Sequence, residues 1–181
     1  MIIGGTGVLQ TGQRELHGQN SGVMGNDLVV AIGDMKLTQN SGRIVTYALG
    51  SCVGITFWDP GIKLGALLHV LLPSRMNVSD ANIFKYADTG IPETVRQLTA
   101  KGLDRKRTIV KIAGGAKMFE TSGAFGDIGK GNIEMVKKTL PRLGFAISAE
   151  DLGANYARTM TLDVATGEVL VKVIGKPDKR L

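Results

Sequence analysis

The chain contains a single cysteine, Cys52, and a histidine, His69, follows it at a spacing that allows the two side chains to meet. Between them, residues 59–62 read Asp-Pro-Gly-Ile, in which proline at the second place and glycine at the third favour a type II turn. If this turn joins two antiparallel strands, residues whose numbers sum to 121 lie opposite each other. Because Cys52 and His69 satisfy that sum, the sequence predicts a thiol directly across from an imidazole.

The same register gives the two faces of the predicted hairpin different compositions. One face is wholly apolar, and the other is mostly small or polar and ends at Cys52 and His69. A shift of one residue would exchange the faces, so the composition favours this register. The apolar face pairs Val53 with Leu68, Ile55 with Ala66 and Phe57 with Leu64; the other pairs Gly54 with Leu67 and Thr56 with Gly65.

A thiol beside an imidazole is the arrangement of a cysteine nucleophile and its base. A free thiol is mostly protonated at neutral pH, so a nearby imidazole that accepts its proton makes it an effective nucleophile. Cys52 follows a Gly-Ser bend at residues 50–51, where the N–H groups of Ser51 and Cys52 can turn toward one point and stabilise an oxyanion. The alternative is structural, since a lone cysteine is ordinarily a small buried hydrophobic residue and a neighbouring histidine can be a hydrogen-bonded core residue.

The composition indicates one globular domain in a reducing compartment. A chain of 181 residues can bury a substantial core, and 43% hydrophobic and 21% charged residues are ordinary values. One cysteine excludes an internal disulfide framework and a cysteine-rich zinc site. The N-terminus lacks a signal-peptide pattern, and no apolar run is long enough to span a bilayer. We therefore expect a cytoplasmic protein that is not embedded in a membrane.

The chain has a net charge of +6, which raises the question of nucleic-acid binding. With 5% aromatic residues it offers little material for stacking on bases, and aromatics do not interleave the basic residues. We expect no nucleic-acid partner, and attraction to an acidic protein surface accounts for the same charge. The basic residues form two clusters: Lys101, Arg105, Lys106, Arg107 and Lys111, and then Lys172, Lys176, Lys179 and Arg180.

The pattern of elements predicts an α+β domain with a short segment on each side. Residues 1–27 form a glycine-rich leader expected to be disordered, residues 28–175 the domain, and residues 176–181 a basic tail. One helix is predicted from Ile91, Val95 and Leu98, with Pro92 in its first turn. A second helix is predicted to begin after Asn132 as its N-cap. Strands are predicted at residues 28–35, 43–48, 108–113, 145–149, 158–164 and 168–173 in addition to the hairpin.

Two helices among many strands pack most simply on one side of a sheet, whose other face then needs a second sheet as its cover. Short motifs add to this interpretation. Along the chain they are TYALGSCV at 46–53, DP at 59–60, HVLLP at 69–73, YAD at 86–88, KIAGGA at 111–116 with Met118 and Phe119, IG at 128–129 with Asn132, and DLG at 151–153 leading to Arg158. In order and spacing, from about Leu28 to Ile174, these motifs resemble the CheD family, the chemoreceptor glutamine deamidases of bacterial and archaeal chemotaxis.

The resemblance implies a fold, a site and a reaction. The fold is a three-layer α/β/β sandwich with mixed sheets and two main helices on one side, and the catalytic residues fall on Cys52, His69 and Thr46. The reaction is conversion of receptor glutamine to glutamate through a cysteine thioester, without a metal or an organic cofactor, and a CheC-type phosphatase is an implied partner. One departure is Gly153-Ala154, where the family usually has paired glycines.

Three alternatives stay open at this point. The protein can act only as a binding partner and regulator of the CheC-type phosphatase. It can instead hydrolyse glutamyl methyl esters by the same acyl-enzyme chemistry. Thr46, finally, also fits the plain role of a β-branched strand residue.

Overall fold

The structure is a computed structural model that describes residues 1, 27–77, 79–118 and 127–181. The predicted leader lies outside the described residues except for its two ends, Met1 and Asp27. The described ranges contain β1 Leu28–Val29, β2 Asp34–Gln39, β3 Arg43–Leu49, β4 Val53–Asp59, β5 Leu64–Val70, α1 Ala87–Ala100, β6 Ile109–Gly114, α2 Ile128–Arg142, β7 Ile147–Leu152, β8 Arg158–Asp163, β9 Val169–Lys172 and β10 Lys179–Arg180.

The strands form two five-stranded sheets, and the helices make a third layer. The central sheet has the order β2-β5-β4-β6-β7 and the outer sheet the order β1-β3-β8-β9-β10. Both sheets are mixed, because β6 pairs with β7 in parallel and β1 pairs with β3 in parallel, whereas the other pairs are antiparallel. The predicted α/β/β sandwich is therefore confirmed.

The helices cover one face of the central sheet and enclose the larger core. In α1 the predicted stripe of Ile91, Val95 and Leu98 is buried, because residues spaced three or four apart lie on one side of a helix. The apolar face predicted for the hairpin lies against these helices and is fully buried. Its predicted members are all in this core: Val53, Ile55, Phe57, Leu64 and Leu68.

A second core fills the space between the two sheets. Leu67 and Ala113 enter it from the central sheet, whereas Ile44, Met160 and Leu162 enter it from the outer sheet. Cys52 belongs to this core and is 5% exposed. The hairpin therefore has one face toward the helices and the other toward the outer sheet, and the residues considered for chemistry lie on the latter.

The predicted register of the hairpin is wrong by two residues. Gly54 rather than Cys52 lies opposite His69, so the numbers of paired residues sum to 123. The connection has four residues instead of two, because Asp59 accepts the Gly61 N–H and Lys63 adopts a left-handed conformation with φ of 46°. A shift of two residues preserves the faces, which explains why the burial pattern was predicted correctly.

Three local predictions also need correction. The strand predicted at residues 28–35 is divided between the two sheets, because Gly33 turns the chain with φ of 68°. Pro92 lies in the second turn of α1 rather than the first. The second helix begins at Ile128, where the Asp127 carboxylate caps the N–H of Lys130, so Asn132 is an interior residue.

The segment predicted as a basic tail carries the last strand of the outer sheet. β10 pairs with β9, and Lys179 and Arg180 form ion pairs with Asp151 and Glu168. The Lys111 ammonium donates to the carbonyl of Leu181 at 2.7 Å. Lys111, Lys179 and Arg180 thus have acceptors within the chain.

Replacing Asp59 with alanine should destabilise the hairpin strongly. The Asp59 carboxylate is fully buried and accepts the N–H groups of Gly61 and Asp104, both at 2.9 Å, and the Arg107 guanidinium. Burial acts to raise the pKa of Asp59, but these hydrogen bonds outweigh it and the pKa is lowered. Because the variant leaves these donors unpaired, Asp59→Ala should reduce the free energy of unfolding in urea by about 3 kcal/mol.

The matched control is Asp163→Ala, which removes a turn carboxylate between β8 and β9. Asp163 accepts the N–H groups of Ala165 and Thr166 in an exposed environment, so we expect a loss of about 1 kcal/mol. Equal losses for the two variants would contradict the assigned role of the buried Asp59.

Candidate active site

Cys52 lies at the end of a tightly held bend that leads from β3 to β4. A bulge interrupts the pairing of β3 with β8 between Thr46 and Leu49, and Ala48 within it has φ of 56°. After the bulge, the carbonyls of residues 50–52 all accept hydrogen bonds. The Gly50 carbonyl accepts the N–H of Ala116 at 2.7 Å, the Ser51 carbonyl accepts the side chain of Asn132 at 2.8 Å, and the Cys52 carbonyl accepts the N–H of Gly115 at 2.7 Å.

Glycine is required where β6 meets this bend. A Cβ atom at Gly114 would lie 2.2 Å from the Cys52 carbonyl oxygen, and Gly114 has φ of 117°. No side chain fits at such a distance, so the close approach of the two main chains depends on this residue. The chain turns sharply after β6, where Gly114 and Gly115 both have positive φ, and this turn holds the thiol-bearing segment in place.

The main-chain N–H groups of Ser51 and Cys52 are candidates for stabilising an oxyanion. Within the described part of the chain, neither the Ser51 nor the Cys52 N–H donates to a main-chain or side-chain acceptor of another residue. Ser51 is partly exposed, whereas Gly50 and Cys52 are buried. Two neighbouring N–H groups that have no acceptor on another residue, beside a thiol, are what an oxyanion site requires.

His69 lies on β5 and contacts the outer sheet through Thr46 on β3. The Thr46 hydroxyl oxygen is 2.7 Å from His69 Nδ1 and 2.8 Å from the carbonyl oxygen of Val30. The hydroxyl has one proton, and the carbonyl can only accept, so Thr46 donates to Val30. The same hydroxyl must then accept from His69, which places the imidazole proton on Nδ1 and leaves a lone pair on Nε2.

The free nitrogen of His69 is buried and neutral. Within the described residues its Nε2 has no hydrogen-bond partner, and the side chain is 1% exposed. Burial lowers the pKa of His69 from its ordinary value to about 4. At neutral pH this residue is therefore an uncharged imidazole with a vacant acceptor, which is the state required of a general base.

Cys52 and His69 share one face of the central sheet but are not directly opposite. Cys52 lies two positions before Gly54, the partner of His69, so both side chains project toward the outer sheet in a diagonal arrangement. No hydrogen bond joins them in the structure as described. Burial raises the pKa of the Cys52 thiol, against the weaker effect of its own N–H. The resting pair is a neutral thiol and a neutral imidazole, not a thiolate and an imidazolium.

Asn132 is a residue of this region that sequence reasoning assigned to a different role. It is fully buried on α2, and its Nδ2 donates to the carbonyls of Ser51 and Leu71 at 2.8 and 2.9 Å. The sequence offered one signal: Asp127 is an equally good N-cap five residues earlier, which would place an asparagine inside a helix among apolar residues.

Other kinds of site are not found in the described ranges. No group of three His, Cys, Asp or Glu residues there is placed to hold a metal ion. None of the helices described is long and apolar enough to cross a membrane.

The fold and this region together define an α/β/β protein with one buried thiol and one buried neutral imidazole on the same face of its central sheet. Comparison with known proteins agrees on the family. A family model described as CheD chemotactic sensory transduction matches residues 71–173. The chain belongs to the CheD family, as its motifs predicted.

Individual relatives match over most of their length. A protein of Lachnoclostridium phytofermentans named "Probable chemoreceptor glutamine deamidase CheD" is 40% identical over 161 residues, which cover 87% of this chain and 100% of the relative. A protein of the same name from Clostridium botulinum is 43% identical over 152 residues, covering 82% and 94%. An archaeal one from Methanosarcina barkeri is 42% identical over 154 residues, covering 83% and 99%.

The stability of the protein should fall as His69 is protonated. An unfolded histidine has a pKa near 6.5, and the folded value is about 4, so the unfolded chain binds the proton at higher pH. The contribution of the neutral His69 to the free energy of unfolding is complete above about pH 6.5 and is lost as the pH falls toward about 4. We expect the free energy of unfolding to drop by about 2 kcal/mol between about pH 7 and about pH 5.

The control for this measurement is His69→Asn, which keeps an N–H donor for Thr46 but does not titrate. For this variant, the drop in the free energy of unfolding in urea between about pH 7 and about pH 5 should be smaller by about 2 kcal/mol. The carboxylates with lowered pKa values titrate in the unfolded chain near pH 4, below the measured window; they are Asp59, Asp80, Glu93 and Asp151. Equal pH dependence in both proteins would show that His69 is not held neutral by the fold.

The Val30 carbonyl should determine the tautomer of His69, which truncation can test. Deleting residues 1–26 retains β1 and Val30, whereas deleting residues 1–30 removes the acceptor of the Thr46 hydroxyl. Nitrogen-15 NMR should show the Nδ1-protonated imidazole in the shorter truncation and a mixture of tautomers in the longer one. A mixture already present after deleting residues 1–26 would assign a role to the leader, which we expect to be dispensable.

Proposed function

We propose that this protein converts glutamine side chains of a chemoreceptor to glutamate, with Cys52 as nucleophile and His69 as acid and base. The observation that carries the proposal is the vacant, buried Nε2 of a neutral His69 on the same face as the chain's only thiol. The names of the relatives supply the substrate class. Thr46 is a positioning residue, because it contacts Nδ1 and thereby leaves Nε2 free to take a proton.

The first half of the reaction forms a thioester. The Cys52 sulfur attacks the carboxamide carbon while its proton passes to His69 Nε2, and the N–H groups of Ser51 and Cys52 donate to the oxygen that becomes negative. His69 then gives the proton to the leaving nitrogen, the carbon–nitrogen bond breaks, and ammonia departs.

The second half hydrolyses the thioester. Water attacks the thioester carbon and loses a proton to His69, and the carbon–sulfur bond breaks. The proton returns to the departing sulfur, so the thiol and the neutral imidazole are restored and a glutamate side chain is released. The cycle needs no redox change and no group beyond water.

The burial of both groups favours proton transfer during attack over a stored thiolate. Burial raises the pKa of the Cys52 thiol and lowers the pKa of His69, so charge separation before substrate binding is disfavoured. A substrate that brings its carboxamide to the Ser51 and Cys52 N–H groups supplies the partner for the developing charge. This makes deamidation depend on a correctly seated amide.

The surface around the bend suits a protein substrate. Tyr47 and Met118 are exposed, 53% and 39% respectively, and the Met118 side chain lies against Gly50. The thiol itself is only 5% exposed, so a long side chain such as glutamine is needed to reach it from a protein surface. The cytoplasmic region of a chemoreceptor is the substrate we propose, and the implied partnership with a CheC-type phosphatase stays a prediction.

Mass spectrometry of a candidate receptor's cytoplasmic region tests the proposal directly. Wild-type protein should convert specific glutamines to glutamate, whereas Cys52→Ala should convert none, because acyl transfer needs the sulfur. Thr94→Val is the control, since Thr94 is fully buried and its hydroxyl bonds only within α1 to Gly90. Equal conversion by Cys52→Ala would refute the mechanism.

The same measurement separates deamidation from the hydrolysis of glutamyl methyl esters. A receptor that carries both glutamines and methylated glutamates shows opposite mass changes for the two reactions. Loss of methyl groups without change at glutamine would replace the proposed substrate by the ester while keeping Cys52 as the nucleophile.

A further inference from the structure

The carboxamide of Asn132 joins the two chain segments that carry Cys52 and His69. Its Nδ2 donates one proton to the carbonyl of Ser51, the residue before Cys52, at 2.8 Å. It donates the other to the carbonyl of Leu71, two residues after His69, at 2.9 Å. Both bonds originate from one nitrogen of a side chain that is fully buried.

These bonds lie where the pairing of the two strands has ended. The last residue pair between β4 and β5 is Val53 with Val70. Beyond this pair, no strand pairing joins the segment of Ser51 to the segment of Leu71. The Asn132 side-chain amide instead donates a hydrogen bond to each of them. The distance between the two segments at the site therefore depends on a side chain from α2.

The helix that supplies Asn132 is itself fixed against the site. A Cβ atom at Gly129 would lie 2.7 Å from the carbonyl oxygens of Gly115 and Ala116, so the first turn of α2 is in close contact with the end of β6. The N–H groups of these two residues hold the carbonyls of Cys52 and Gly50. Residues 115 and 116 therefore contact both the helix that carries Asn132 and the bend that carries Cys52.

We propose that Asn132 is a positioning residue that sets the separation of Cys52 and His69. The inference rests on the proposed function of these two residues. Stability alone does not explain an asparagine here, because its Oδ1 is buried and has no hydrogen-bond partner within the described residues. Such an unpaired acceptor is costly, so the position retains a polar group for its two donated bonds.

A double-mutant cycle on the reactivity of Cys52 tests the inference independently of any receptor. The rate of Cys52 alkylation by iodoacetamide should fall in His69→Asn, because the base that accepts the thiol proton is removed. In an Asn132→Leu background the same His69 change should have little further effect, since the two groups are no longer held at a productive separation. Asn132→Asp, which has the same shape but can donate at most one of the two hydrogen bonds, is the second variant if leucine prevents folding.

The matched control is Val136→Ala, one turn further along the same helix. Val136 is fully buried in the core between α2 and the central sheet and does not contact the bend through any hydrogen bond. This variant should lose stability yet retain the full effect of His69→Asn on alkylation. An undiminished effect of His69→Asn in the Asn132 variants would overturn the proposal.

Deamidation provides the second readout. With a receptor substrate, the Asn132 variants should lower kcat about 100-fold, as expected for a displacement of about 1 Å, and change KM little. Unchanged kcat would also overturn the proposal. The wild-type protein could fail to deamidate any receptor while the Asn132 variants still abolish the effect of His69→Asn on Cys52 alkylation. That result would reject the proposed function and leave the positioning role of Asn132 standing.

Discussion

The candidate site depends on one hydrogen bond that crosses between two sheets. Thr46 from the outer sheet contacts His69 from the central sheet at 2.7 Å, beside the apolar core that lies between the two sheets. The hydroxyl can accept there only because the Val30 carbonyl takes its proton. The protonation pattern of the imidazole is therefore set by the stacking of the sheets. Burial in the same layer keeps both the imidazole and the thiol uncharged.

Much of this arrangement is written in local patterns of the sequence. Alternation along residues 53–57 and 64–68 identifies which hairpin face is core. His69 and Cys52 lie on the other face whether the numbers of paired residues sum to 121, as predicted, or to 123, as observed. The exact pairing could not be predicted, because it is decided by the Asp59 carboxylate. That group closes a longer loop with the help of Arg107, a residue 48 positions away. Turn residues alone do not report such a distant partner.

Long-range contacts also explain the other differences. Asn132 has the local properties of an N-cap, and only the docking of α2 against the bend at Ser51 gives it two carbonyls to bind. The strand predicted at residues 28–35 alternates well, but its halves join different sheets, because Gly33 allows the chain to turn. Thr46 looks like any β-branched strand residue until the facing sheet brings His69 to it. In each case the missing information is the relative placement of layers.

The close approach at Gly114 has a consequence for anyone who wishes to alter the substrate of such a protein. There is no room for a methyl group on Gly114 beside the main-chain carbonyl of Cys52, so substitution of Gly114 is not tolerated, whereas the side chain of residue 52 takes no part in this contact. Tyr47 and Met118, in contrast, are exposed neighbours of the same bend, and the contact of Met118 with Gly50 involves only a flexible side chain. Under the proposed function, libraries that randomise Tyr47 and Met118 and leave the Gly114 contact intact would change which protein surfaces are accepted without altering Cys52 or His69.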